Sequence, residues 1–142
     1  MKHIASPTEL KTLNHKNLVK KNNVPRESWE QEMIFKWACN NQKKYPELKY
    51  MNGSLSGVRL TVGLRIKAKK QGNKKGVPDI DLPAKNKYYS GLHIELKRVK
   101  GGVASKEQKD FLQFLADQGR KAVICKGHEA ALKVLIEYLE NI

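Results

Sequence analysis

The chain has 142 residues, with 28 Lys plus Arg against 14 Asp plus Glu, so its formal charge is +14 and its pI is near 9.8. That excess is far beyond what solubility asks of a small domain. The length suits one domain with a single core and no disulfide or metal staple. The longest apolar stretches are only a few residues, and Met1-Lys2-His3-Ile4-Ala5-Ser6-Pro7 lacks the apolar centre of a secretion signal. A membrane-spanning or secreted protein is thereby excluded, and a soluble, intracellular, cytoplasmic one is expected.

Residues 1–24 are polar and basic without sustained periodicity, which predicts a flexible basic arm ending before Pro25. Residues 25–142 form the domain proper. A Ser28-x-x-Gln31 capping box opens a predicted helix to about Gln42, with Met33, Ile34, Trp37 and Ala38 at helical spacing. Glu30 falls in the middle of that apolar face, Glu32 points away, and Glu27 projects near the face but precedes the cap. An acid directed inward wants a partner, although Glu30 would also complement the positive helix start. Leu48-Lys49-Tyr50-Met51 reads as a short strand and Asn52-Gly53 as a turn. Val58, Val62 and Ile66 at four-residue steps predict a helix over 58–71, stopped by Gly72.

Ile80-Asp81-Leu82-Pro83 and Gly91-Leu92-His93-Ile94-Glu95-Leu96, around the polar Lys85-Asn86-Lys87, read as an antiparallel hairpin centred near residue 87. A second capping box, Ser105-x-x-Gln108, starts a helix to Gln118 with Phe111, Leu112 and Leu115 on its buried stripe and Gly119 as its stop. Lys121 to Cys125 is a strand, and a last helix from about Glu129 carries Leu132, Leu135, Ile136 and Leu139. The order helix, strand, helix, hairpin, helix, strand, helix predicts an α/β fold: one domain with a mixed central sheet flanked by helices. Cys39 and Cys125 sit in apolar segments without metal-ligand spacing and read as buried free thiols.

The hairpin carries the chemistry. Positions 79 and 95 are equally far from its centre, so an unbulged register sets Asp79 opposite Glu95 with side-chain carbons about 5 Å apart. Two carboxylates can share one hard cation. Because strand side chains alternate, Glu95 and Lys97 project to one side while Ile94 and Leu96 face a core. An amine then stands beside the cation, the combination a metal-dependent phosphodiesterase needs. The competing reading makes Asp79 a turn residue after Pro78 and leaves Glu95 and Lys97 as exposed charges on a half-solvated strand. His93 shares the face of Glu95, but a lone histidine is a poor catalytic signal. Trp29, Trp37, Tyr88 and Tyr89 can stack bases, though core packing or turn support suits most of them better.

The positive charge is clustered. Arg65, Lys67, Lys69, Lys70, Lys74 and Lys75 run without an intervening acid, and Lys97, Arg98 and Lys100 follow the second arm of the hairpin. Such a field gives salt-dependent, sequence-independent affinity for phosphate backbones, so nucleic acid rather than a membrane surface is the expected partner.

Gly76-Val77-Pro78-Asp79, Ile94-Glu95-Leu96-Lys97, Gly101-Gly102 and Ser105-x-x-Gln108 together resemble the signature of the VRR-NUC nucleases, a branch of the PD-(D/E)xK superfamily with the restriction-endonuclease-like fold. Glu30-Gln31 and Lys44-Tyr45-Pro46-Glu47-Leu48 are similar to the small stand-alone members of phage and bacterial genomes. The likeness runs from about Ser28 to Leu139, and no role transfers to the first 24 residues. It implies that Asp79, Glu95 and the main-chain carbonyl of Leu96 bind Mg²⁺ or Mn²⁺, that Lys97 positions or activates water, that Glu30 contributes from the first helix, and that Gln108 lies near the site. It also implies a homodimer and branched or junction DNA as substrate. A second class of function stays open, a non-catalytic architectural protein that binds nucleic acid through the basic surface alone. Acids beside phosphate argue against it, since they repel the ligand unless a cation intervenes.

Overall fold

The computed structural model describes residues 24–142; the basic arm expected over residues 1–24 therefore lies almost wholly outside the described residues. In chain order the elements are α1 (Glu27–Asn41), a 3₁₀ turn (Pro46–Tyr50), β1 (Asn52–Gly53), α2 (Val62–Lys70), β2 (Ile80–Leu82), β3 (Leu92–Lys97), α3 (Lys106–Asp117), β4 (Lys121–Lys126) and α4 (Gly127–Leu139). The strands make one mixed sheet ordered β1-β2-β3-β4. β1 and β3 flank β2 antiparallel, while β4 joins β3 in parallel after the α3 crossover.

The two faces of this sheet differ in chemistry, and the alternation along β3 is the reason. Leu92, Ile94 and Leu96 join Ile80, Leu82 and Cys125 in a core closed by Ile34, Trp37 and Ala38 of α1 and by Ala131, Leu132, Leu135 and Leu139 of α4. The odd-numbered residues of β3 face the other way, on the side where α3 packs against β4 and β3. Leu112 and Leu115 of α3 are buried there, outside the main core cluster. Helices therefore close one face completely, whereas a polar strip survives on the other.

Several local expectations give way to tertiary packing. The first helix starts two residues earlier than the Ser28 box predicts, with Arg26 as N-cap and no side-chain cap. Residues 48–51 do not form a strand: Pro46 at the first position of a 3₁₀ turn curls this segment and buries Leu48. The adjoining Asn52-Gly53 is a strand rather than a turn, because it pairs with Asp81 and Ile80 at the sheet edge. The helix predicted over 58–71 is shorter. Thr61 caps it, accepting from Leu64 N at 3.3 Å, and none of its residues is buried. The Ser105–Gln108 box is present in both directions. The last helix begins at Gly127, two residues early, and Cys39 is exposed on the outer side of α1 while Cys125 is buried.

Candidate active site on the polar face of the sheet

Ile80 pairs with Ile94, Asp81 with His93 and Leu82 with Leu92, so the register is the one centred on residue 87 and its continuation sets Asp79 across from Glu95. The turn is not tight: nine residues, 83–91, connect the arms. Asn86 stiffens this loop by accepting from Tyr88 N and Tyr89 N, and Tyr89 stacks on Tyr138 of α4. Trp37 packs near Tyr45, and Trp29 meets His128 edge-on, while Tyr88 is exposed.

Asp79 and Glu95 are not solvated charges. Asp79 is 7% exposed, Glu95 1% and Lys97 5%. A surface strand would leave all three wet, so the exposed-charge reading does not describe them. Asp79 Oδ2 accepts from Leu96 N at 2.8 Å, which ties the end of one arm to the main chain of the other. Its Oδ1 accepts from Ser56 Oγ at 2.8 Å and weakly from Ser54 Oγ at 3.4 Å. Lys97 Nζ donates to Glu95 Oε1 at 2.7 Å and stands 3.9 Å from Glu27 Oε2.

Gln108 links this cluster to α3. Its Oε1 accepts from Ser105 N at 2.8 Å, completing the capping box, and its Nε2 donates to Glu95 Oε1. The approach is close because Gly76 has φ +87° and lies against the first turn of α3, where a Cβ would stand 2.6 Å from Glu107 O. Any side chain there would push the Gly76–Asp79 segment off the helix. The glycine before Val77-Pro78-Asp79 is thus a packing requirement of the site.

Burial pushes Glu95 up to about 7; Asp79 and Glu27 add to the rise, and the Lys97 ammonium opposes it. Its second oxygen, Oε2, is buried without a hydrogen-bond partner. An orphaned carboxylate oxygen beside a second carboxylate is a position that a cation would satisfy. Among the described residues no three His, Cys, Asp or Glu side chains converge into a ready-made cage. Two carboxylates and a main-chain carbonyl nevertheless fit an ion such as Mg²⁺, which keeps several waters and takes few protein ligands.

Glu30 is buried, as its place on α1 predicts, and it points to α4. Its Oε2 accepts from His128 N at 2.7 Å and from His128 Nδ1, so the carboxylate sits on the N-terminus of that helix. Gly127, at φ +80°, allows the approach: a Cβ there would lie 2.8 Å from Val99. The first-helix acid beside Lys97 is Glu27. Gln31, one turn on, donates toward Ser54 O and Asp79 O at 3.2 and 3.4 Å. A helix starting at Ser28 would leave Glu27 outside it, which is why the sequence pattern passes over this acid. With the start at Glu27, that residue and Gln31 form an (i, i+4) pair on one face.

Arg65, Lys67, Lys69 and Lys70 line α2, and Lys74, Lys75 and Lys100 stand in loops, all exposed. Arg98 is exposed but engaged, donating to Val24 O at 2.7 Å and Pro25 O at 3.3 Å. His93 is buried on the strip between Asp81 and Arg120, and burial holds its imidazole below the usual pKa range. No helix among the described residues is long and apolar enough to cross a membrane.

A family model described as the VRR-NUC domain matches residues 20–129. A solved structure described as a VRR_NUC domain protein is similar over 86% of this chain and 93% of its own, with 26% identity and a TM-score of 0.68. No curated protein matches the chain.

Proposed function

Because the chain belongs to the VRR-NUC domain family, a nuclease-type family, we propose that it is a divalent-metal-dependent DNA endonuclease whose site is built on Asp79, Glu95 and Lys97. The observation that carries this reading is the buried Asp79–Glu95–Lys97 cluster with one unpartnered carboxylate oxygen. Burying three ionisable groups together is costly unless a ligand completes them.

Asp79, Glu95 and the Leu96 carbonyl would hold Mg²⁺ or Mn²⁺. The ion would supply positive charge against the phosphate oxygens. Lys97 orients the attacking water and offsets negative charge as the water oxygen bonds to phosphorus and the sugar oxygen departs. Gln108 fixes the rotamer of Glu95 by occupying one of its oxygens. Glu27 stands close enough to Lys97 to hold the amine over the site. The contribution of Glu30 is positional, through the start of α4 where β4 ends. The cations of α2 and its loop, with Arg98 and Lys100, would hold the DNA backbone.

By the family likeness, the substrate proposed is branched or junction DNA and the working form a homodimer in the cytoplasm of a bacterial or phage-infected cell. The test is cleavage of labelled four-way junction, flap and linear duplex with Mg²⁺, Mn²⁺ or EDTA. Metal-dependent products that vanish in Asp79→Ala, Glu95→Ala and Lys97→Ala, each still folded, are expected. Tight binding of all three DNAs without cleavage would favour the architectural binder instead.

A further inference from the structure

The polar face of the sheet continues past the candidate site onto β4. There Ile124 pairs with Glu95 and Lys126 with Lys97, and partners in a parallel pair project to the same face from strands about 4.8 Å apart. The residue between them fixes the phase: Cys125 is buried in the core beside Leu96, whereas Ile124 and Lys126 are exposed. Ile124 is 43% exposed although it faces the side where α3 packs, so that helix leaves the end of β4 open next to Glu95.

The two lysines of this row differ in what surrounds them. Lys97 is buried between Glu95 at 2.7 Å and Glu27 at 3.9 Å, so its charge is already balanced by carboxylates. The Lys126 ammonium has no hydrogen-bonding or ionic partner among the described residues. Its place is nonetheless fixed. Lys126 is the N-cap of α4, and Gly127 turns the chain at φ +80° where a Cβ would lie 2.8 Å from Val99. Glu30 accepts from His128 N at 2.7 Å, so the buried acid of α1 fastens the junction that carries Lys126. A cation at the positive end of a helix detracts from stability, and the fold therefore gains nothing from a lysine here. We infer that Lys126 is a second amine of the active site, which contacts a non-bridging oxygen of the scissile phosphate from the β4 side while Lys97 faces the water. A phosphate over Asp79 and Glu95 meets carboxylates beneath it, and a free ammonium on a flexible stem supplies the opposite charge at its edge. The inference rests on the nuclease reading, which makes this phosphate the scissile one.

The test compares Lys126→Gln and Lys126→Arg with Lys87→Gln, which removes an equal charge from an exposed position in the loop at the opposite end of β3. A fluorescein-labelled four-way junction is titrated with each protein in EDTA at several salt concentrations, and single-turnover cleavage of the same DNA is followed in Mg²⁺. Lys126→Gln should flatten the plot of log K against log salt by about 0.9 more than Lys87→Gln does. It should also slow cleavage about tenfold without lowering Tm, and Lys126→Arg, which keeps the charge, should recover both. A slope and rate equal to those of Lys87→Gln overturn the inference. So does a flattened slope with cleavage at the wild-type rate, which places the contact away from the scissile phosphate. A wild-type protein that cuts no DNA overturns the nuclease reading instead, and the slopes in EDTA then still decide whether Lys126 meets phosphate.

Discussion

Gln108 of α3 donates its amide to Glu95 of β3 while its carbonyl oxygen caps the same helix through Ser105 N. One side chain thus belongs to both the fold and the site, and two substitutions separate the roles. Ser105→Ala removes the hydroxyl that accepts from Gln108 N at 3.2 Å and should cost about 1 kcal/mol with cleavage close to wild type. Gln108→Ala should cost a similar amount of stability and, in addition, lower kcat at least tenfold. Thermal unfolding and single-turnover cleavage, run on both variants, check the split; equal kcat would remove Gln108 from the site.

The raised pKa of Glu95 gives a pH dependence with a definite sign. The folded protein holds this proton up to about pH 7, whereas the ordinary value is 4.5. Between those values the folded state binds more protons than the unfolded one, so this group's contribution to stability falls as pH rises through that window. The metal-free protein should therefore lose Tm between pH 5 and 8, and Glu95→Gln should lose less. Mg²⁺ should restore Tm more at pH 8 than at pH 5, and calorimetry near pH 6 should show a proton released on binding.

Glu27 and Glu30 lie on one helix and should behave oppositely. Glu27 is partly exposed beside Lys97, so Glu27→Gln should reduce cleavage with little change in Tm. Glu30→Gln replaces a buried charge-assisted contact to His128 by a neutral one and should cost about 1–2 kcal/mol. Its cleavage loss should be recovered by lowering the assay temperature. The reverse pattern would make Glu30 the acid that touches the reaction.

Lys67, Lys69 and Lys70 stand on a helix with no buried residue, so they can be changed without disturbing the core. Replacing all three by Gln should weaken DNA binding at low salt and flatten the plot of log K against log salt by about 0.9 for each phosphate no longer neutralised. An unchanged slope would mean that the DNA path avoids α2.

Nearly all of the hairpin was legible in the sequence, because two-residue alternation and symmetric spacing about residue 87 are local properties of the chain. The same holds for the second capping box and for the inward position of Glu30. The segments that misled were those whose local signals compete. Ser28 offers a cap within a helix that already starts at Glu27, and Asn52-Gly53 offers a turn where the edge of β2 recruits a strand. Which acid reaches Lys97 depended on that two-residue shift, which brings Glu27 into the first turn of the helix.

By itself, then, the sequence determined an α/β chain with a strongly basic surface and two carboxylates and a lysine set to meet across a hairpin. Only the tertiary structure decided that these groups are buried, that Glu95 is pushed up to about 7, that Gln108 and Ser56 hold the carboxylates, and that Glu30 turns to His128. Burial and hydrogen-bond partners come from elements distant in the chain, and no local pattern encodes which helix will close over a strand.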